Sequence, residues 1–136
     1  MTNRAISGAL MRGGSSKGLY ILKQDMPSDE IVRDKLLIRA MGSPDPRQID
    51  GLGGADSLTS KAAIVSPSDL AQADVDYLFA QIVIGEDRVS YTQNCGNILA
   101  GIGQFAVERG LVKVEPGANQ ASVRIHMVNS KSLVTM

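Results

Sequence analysis

The chain has 136 residues, with 14 Lys plus Arg balanced by 14 Asp plus Glu for a formal net charge of zero. That length supports one domain with a modest core, and the balanced charge argues against a nucleic-acid or anionic-membrane surface as its main business. With one cysteine, no Trp and no apolar run of about 18 residues, the sequence predicts no internal disulfide, no base-stacking platform and no spanning helix.

The segment from Arg4 to Met11 alternates loosely and predicts a first strand, interrupted by Gly8. Arg12 to Gly18 reads as a Gly/Ser turn into a short strand, Leu19 to Leu22, giving a hairpin whose loop is longer than the tightest kind. Pro27-Ser28-Asp29-Glu30 opens an outer amphipathic helix with Ser28 as its N-cap and Gly42 as its stop. Residues 43–55 carry Pro44, Pro46, Gly51, Gly53 and Gly54 with no periodicity, the kind of long internal loop that often serves function.

Ser57 to Val65 is predicted as a strand that lines Ser57, Thr59 and Lys61 along one face, because residues two apart share a side. Ala73 to Ile84 is a strand apolar on both faces, as expected where both are covered. Asn97 to Val107 reads as a helix apolar nearly all round, hence buried, with Gly110 as its left-handed stop. Gly101 and Gly103 each cost roughly 1 kcal/mol against Ala inside it, a cost that makes sense where other backbone must come close. Ala121 to Asn129 alternates cleanly, with Val123, Ile125 and Met127 opposite Ser122, Arg124 and His126, and residues 130–136 look like the start of another element. One apolar helix among mainly antiparallel strands is α+β, with the helix inside a curled sheet.

The chemistry concentrates at Asn94-Cys95-Gly96-Asn97, where the sole cysteine sits at the start of the buried helix. Free backbone N–H groups and the helix dipole favour an anion there. Lone cysteines are usually packing, but the flanking Asn94, Gly96 and Asn97 suit a small polar pocket better than a core. Lys61 reads either as a strand-end lysine facing water or as a partly buried ammonium able to accept and return a proton. The stretch from Arg12 to Gly18 lacks phosphate-loop spacing, yet its N–H groups and hydroxyls suit a carboxylate. His126 reads as a surface residue, and no cluster has metal-ligand spacing, so no metal is expected.

Taken together, Met11 to Gly18, Met41 to Gly54, Ser57-Leu58-Thr59-Ser60-Lys61 and Asn94-Cys95-Gly96-Asn97 resemble the PrpF family. That family includes 2-methylaconitate cis-trans isomerases, methylitaconate isomerases and 4-oxalomesaconate tautomerases. The resemblance implies a diaminopimelate epimerase-like fold, a curled and mostly antiparallel sheet wrapped around a central helix. It implies a cofactor-independent proton and double-bond shift in a small unsaturated di- or tricarboxylate. By the same resemblance, Lys61 and Cys95 face each other across the substrate as acid and base, in either order. Ser15, Ser16, Ser57, Thr59, Asn94, Gly96 and Asn97 would hold its carboxylates.

Family members are far longer and built of two domains. Residues 1–136 are therefore expected to be a single N-terminal domain with the second absent, or a chain whose two copies pair as a homodimer. An amino-acid epimerase of the same fold, using two cysteines, and a non-catalytic domain that only binds carboxylates are the competing readings. No nucleic acid, membrane or cofactor is expected as a partner. One thiol and an N-terminus without an apolar signal core suggest the cytoplasm.

Overall fold

A computed structural model of the chain describes residues 4–136. Among them, β1 (Ala9–Gly13), β2 (Ser16–Leu22), β3 (Lys61–Pro67), β4 (Val75–Ile82), β5 (Val89–Ser90), β6 (Arg124–Met127) and β7 (Ser132–Thr135) form one sheet. The strands lie in the order β1-β2-β3-β4-β6-β7, with β5 beside the C-terminal end of β4. Pairs β2–β3 and β4–β6 are parallel and the other four antiparallel, so the sheet is mixed and the class α+β.

Helix α1 (Glu30–Met41) packs Leu37, Ile38 and Met41 on one sheet face, against Ile21, Ala62, Ile64, Ala80 and Ile82. Helices α2 (Gly96–Leu99) and α3 (Ile102–Glu108) pack Ile98, Ile102, Phe105 and Ala106 on the other face, against Tyr20, Ala63, Val65, Tyr77 and Phe79. The doubly apolar pattern of β4 thus reflects helix cover on both sides. Each fully buried Ile or Phe contributes about 1.5–3 kcal/mol of transfer free energy. No helix among the described residues is long and apolar enough to cross a membrane.

Several expectations change. The hairpin loop is only Gly14 and Ser15, and Gly14 takes φ +53°, a left-handed value that a tight hairpin turn demands. The N-cap of α1 is Asp29, one residue after Ser28, and its carboxylate accepts from Val32 N–H at 3.0 Å. Residues 57–59 form a 3-10 turn capped by Asp56, and the strand starts only at Lys61. A short local bond from Leu58 N–H to the Asp56 side chain, at 2.8 Å, competes there with sheet pairing.

The glycine-bearing helix is neither continuous nor buried all round. It breaks between α2 and α3, and Gln104 and Glu108 lie exposed. Gly101 is needed for a side chain rather than for backbone, since a Cβ there would lie 2.4 Å from the Tyr20 hydroxyl. At Gly103 the only neighbour is a Val123 methyl at 3.8 Å, an ordinary contact. Gly103→Ala therefore recovers helix propensity and stabilises the fold by up to about 1 kcal/mol. Thermal unfolding should show a rise of a few degrees, and a fall at Gly101→Ala. A lowered Tm in Gly103→Ala would contradict the packing described. Gly42 and Gly110 take φ +92° and +75° at the ends of α1 and α3, as expected of helix stops.

The segment between α1 and β3 is ordered by hydrogen bonds. Leu52 N–H and Gly53 N–H donate to the carbonyls of Ala40 and Met41, at 2.8 and 3.1 Å. Gln48, 1% exposed, donates to Ser43 Oγ and Ser60 Oγ and accepts from Ala55 N–H. His126 is half-buried, its Nδ1 2.9 Å from an Asp76 carboxylate oxygen, and so is tied down more firmly than a surface residue.

Candidate active site

Lys61 opens β3 and pairs in register with Gly18 of β2 and Gln81 of β4. Alternation puts its side chain on the α2–α3 face with Ala63 and Val65. Cys95 precedes α2 with extended backbone, φ −134°, and its Sγ accepts from Ile98 N–H at 3.4 Å as the helix cap. These two placements bring Lys61 Nζ to 3.4 Å from Cys95 Sγ across 34 residues of sequence. Both residues are only 7% exposed, and Nζ also donates to Ser16 Oγ at 3.0 Å. The Phe79 ring lies beneath the ammonium, 5.9 Å from centroid to Nζ.

Two buried tyrosines fix the backbone that carries the thiol. Tyr77 Oη donates to the Cys95 carbonyl at 3.2 Å, and Tyr20 Oη donates to the Ile98 carbonyl at 2.7 Å. Burial, helped by the nearby Cys95 charge, pushes the Tyr20 phenol up to about 12. It pushes Tyr77 further in the same direction, again through burial first. Both hydroxyls therefore stay neutral donors over the working pH range. Gly13 and Gly101 make the slot for Tyr20, since a Cβ on either would fall within 2.6 Å of its hydroxyl oxygen.

Ser15, Asn94, Gly96 and Asn97 gather at the same end of the sheet. Ser15 N–H donates to Asn97 Oδ1 at 3.4 Å, joining the hairpin tip to the start of α2. Ser15, Asn94 and Gly96 are exposed, and a Cβ on Gly96 would meet nothing within 4 Å, so space is open in front of the thiol segment. Ser16 is different: it is 2% exposed and turned inward to Lys61.

Ser57 and Thr59 do not share a strand face with Lys61. Ser57 is exposed and its carbonyl accepts from Gln81 Nε2, whereas Thr59 Oγ1 accepts from Gly54 N–H and donates to the Asp56 carbonyl. Tyr20, Tyr77, Phe79 and Gln81 were not singled out by the sequence. Gln81 had a signal, being the one polar side chain on an otherwise apolar face of β4. It lies beside Lys61 in register and binds the carbonyls of Ser57 and Ser60 at 3.0 and 2.9 Å.

The arrangement can move a proton. A buried amine and a buried thiol share a hydrogen bond, so a proton can pass between them, and each is a group that can give or take one. Direct contact at 3.4 Å leaves no room for a substrate carbon between the two atoms. Two large grooves, about 840 and 810 Å³, border α1 and contain neither Lys61 nor Cys95, so the chemistry is placed by the pair and not by cavity size. No group of three His, Cys, Asp or Glu among the described residues is placed to share a metal ion.

Comparison with known proteins agrees in sequence and shape. A family profile described as "PrpF protein" matches residues 3–136. The chain is 62% identical over 121 residues to "4-oxalomesaconate tautomerase" of Pseudomonas putida, covering 89% of this chain and 33% of that protein. It is 56% identical over 120 residues to "(4E)-oxalomesaconate Delta-isomerase" of Novosphingobium sp., covering 88% and 33%. A crystal structure of methylitaconate-delta-isomerase superposes with a TM-score of 0.90 at 50% identity, over 96% of this chain and 33% of that one. The chain thus spans about a third of the length of the curated relatives it matches.

Proposed function

The chain belongs to the PrpF family, and from that premise we propose that it carries the proton-moving half of a cofactor-independent isomerase site for a small unsaturated di- or tricarboxylate. The observation that carries this reading is the buried Lys61 Nζ to Cys95 Sγ contact at 3.4 Å. It lies beside exposed polar groups from Ser15, Asn94 and Gly96 and the half-buried Asn97. 4-Oxalomesaconate is the first substrate to test, because the relatives at 62% and 56% identity are named for it. 2-Methylaconitate and methylitaconate share its chemistry.

A proton on carbon beside a carboxylate-bearing double bond is acidic because the resulting carbanion spreads onto oxygen. One member of the pair removes that proton, the double bond shifts, and the other member returns a proton at a different carbon. The bond changes balance without any oxidant or reductant. Lys61 parts from Cys95 to admit the reacting carbon, which its long flexible stem permits. Its ammonium and the first N–H groups of α2 then face the enolate-like charge that builds in the transition state. Ser15, Asn94, Gly96 and Asn97 hold carboxylates, with Ser57 and Thr59 at the margin of the site. An epimerase with paired cysteines is less favoured, because the partner facing Cys95 here is an amine.

The finer fold reading is a diaminopimelate epimerase-like half whose sheet curls around the α2–α3 helices. A second domain, or a second copy of this chain, would supply the other wall and exclude water. Sedimentation equilibrium of the chain at micromolar concentration is expected to show a dimer, and a monomer there would count against pairing of copies. The ultraviolet absorbance change on adding 4-oxalomesaconate tests the activity. A folded protein that binds the carboxylate without turnover would leave a binding domain.

A further inference from the structure

We propose that Ser16 is a positioning residue that holds the Lys61 nitrogen in both of its protonation states, and beside Cys95 until substrate enters, rather than a ligand for a substrate carboxylate. The proposal rests on the reading of Lys61 and Cys95 as the proton-moving pair. Ser16 is 2% exposed and its Oγ lies 3.0 Å from Lys61 Nζ, so the hydroxyl faces the amine and not the open end of the sheet.

The backbone explains how this contact arises. Lys61 pairs in register with Gly18, two residues after Ser16, and residues two apart on a strand share a face. Gly18 presents no side chain along that lane. A Cβ there would meet the Lys61 carbonyl oxygen and an Ile98 methyl, each at 2.9 Å, so the lane from Lys61 to Ser16 depends on glycine. The Lys61 stem thereby reaches Ser16 and Cys95 together.

A hydroxyl suits this position for a chemical reason. An ammonium has three donors and no acceptor, whereas a neutral amine has a lone pair that accepts. A group that loses and regains a proton in each cycle must be held in both forms. A hydroxyl accepts from the ammonium and donates to the amine, which neither a carboxylate nor a methyl group can do. Of the ammonium's three N–H groups, one goes to Ser16 Oγ and one to Cys95 Sγ, leaving the third for the substrate.

Few charges compete with the pair. From β2 and β4 the titratable groups facing it are Tyr20 and Tyr77, both committed as donors to carbonyls. Helix α2 and the segment of residues 92–94 before it carry no charge. Lys17 follows Ser16 directly and so falls on the opposite face of β2.

The test uses the fact that Cys95 is the only cysteine, so its thiolate can be followed by ultraviolet absorbance against pH, with Cys95→Ala as the blank. Because the Ser16 bond to the charged ammonium is stronger than the one to the neutral amine, in Ser16→Ala the thiolate profile should move to higher pH by about one pH unit, the size expected for one lost hydrogen bond to a charged group. Ser16→Thr, which keeps the hydroxyl, should stay within about twofold of wild type. Thermal unfolding of each variant shows that it is folded. An unmoved profile in Ser16→Ala, with a moved one in Lys61→Met, would overturn the role of Ser16 alone. An unmoved profile in Lys61→Met as well would overturn the pair itself. Failure of Ser16→Thr to restore the profile would mean that packing, and not the hydroxyl, is what matters.

Discussion

On the proposed reading, Lys61→Ala should lower turnover of 4-oxalomesaconate by about 10³-fold or more while leaving the fold intact. A positioned acid or base is worth about 10²–10⁴-fold, and in the proposed mechanism this lysine would also supply the nearest positive charge to the developing enolate, which points to the upper part of that range. The loss should fall on kcat rather than KM, because the groups proposed to hold carboxylates, at Ser15, Asn94 and Asn97, remain. The effect on stability should be small. Removing a buried ammonium abolishes a desolvation penalty at the same time as it loses a hydrogen bond and leaves a cavity. Turnover followed by ultraviolet absorbance, with urea unfolding run beside it, separates these effects. If Lys61→Ala retained more than about a tenth of wild-type turnover, Lys61 would have no part in the chemistry, and Cys95 would need another partner.

What the sequence made legible were features written in local chemistry. The polar residues around Cys95 were wrong for a core, and Asn94 and Gly96 do lie exposed beside it. The alternation of Val123, Ile125 and Met127 matched burial in β6, and all three are buried. Gly42 and Gly110 stop their helices because the left-handed conformation costs glycine nothing. The failures lie where long-range contacts decide. Ser57 and Thr59 alternate with Lys61 in a pattern that suits a strand, but local bonds to Asp56 wind them into a turn instead. Gly101 advertised a close approach by other backbone, but what approaches is a side chain, Tyr20 from 81 positions earlier, which is invisible to any local window. Ser16 and Ser15 looked equivalent in sequence. Only the register of β2 on β3 turns one inward to Lys61 and leaves the other exposed.

The second large effect concerns the segment that length and composition suggested as a functional loop. Gly51→Ala should destabilise the protein by about 3–4 kcal/mol, out of a total that for small domains is typically about 5–15 kcal/mol. A Cβ at Gly51 would lie 2.2 Å from both Gly42 N and the Met41 carbonyl carbon, and 2.5 Å from the Met41 oxygen. All three are backbone atoms at the end of α1, and Gly42 N–H is itself bonded to Ile38 and Arg39 carbonyls. Nothing there can turn aside as a flexible side chain would, so the segment must lift. Lifting strains the bonds from Leu52 and Gly53 to α1, each worth about 1 kcal/mol. It also disturbs the cover over Met41, which is fully buried. The disturbance reaches the site through Gln48, whose amide links this segment to Ser60, the residue before Lys61. Ser60 in turn donates to the Ile82 carbonyl at 2.7 Å, so the start of β3 is clamped from both sides. Urea unfolding should therefore show a much lower midpoint for Gly51→Ala, with Gly103→Ala as the harmless glycine control. A Gly51→Ala protein that unfolds at the wild-type midpoint would mean the segment can leave α1 at no cost, and it would then be free to act as the functional loop its length first suggested.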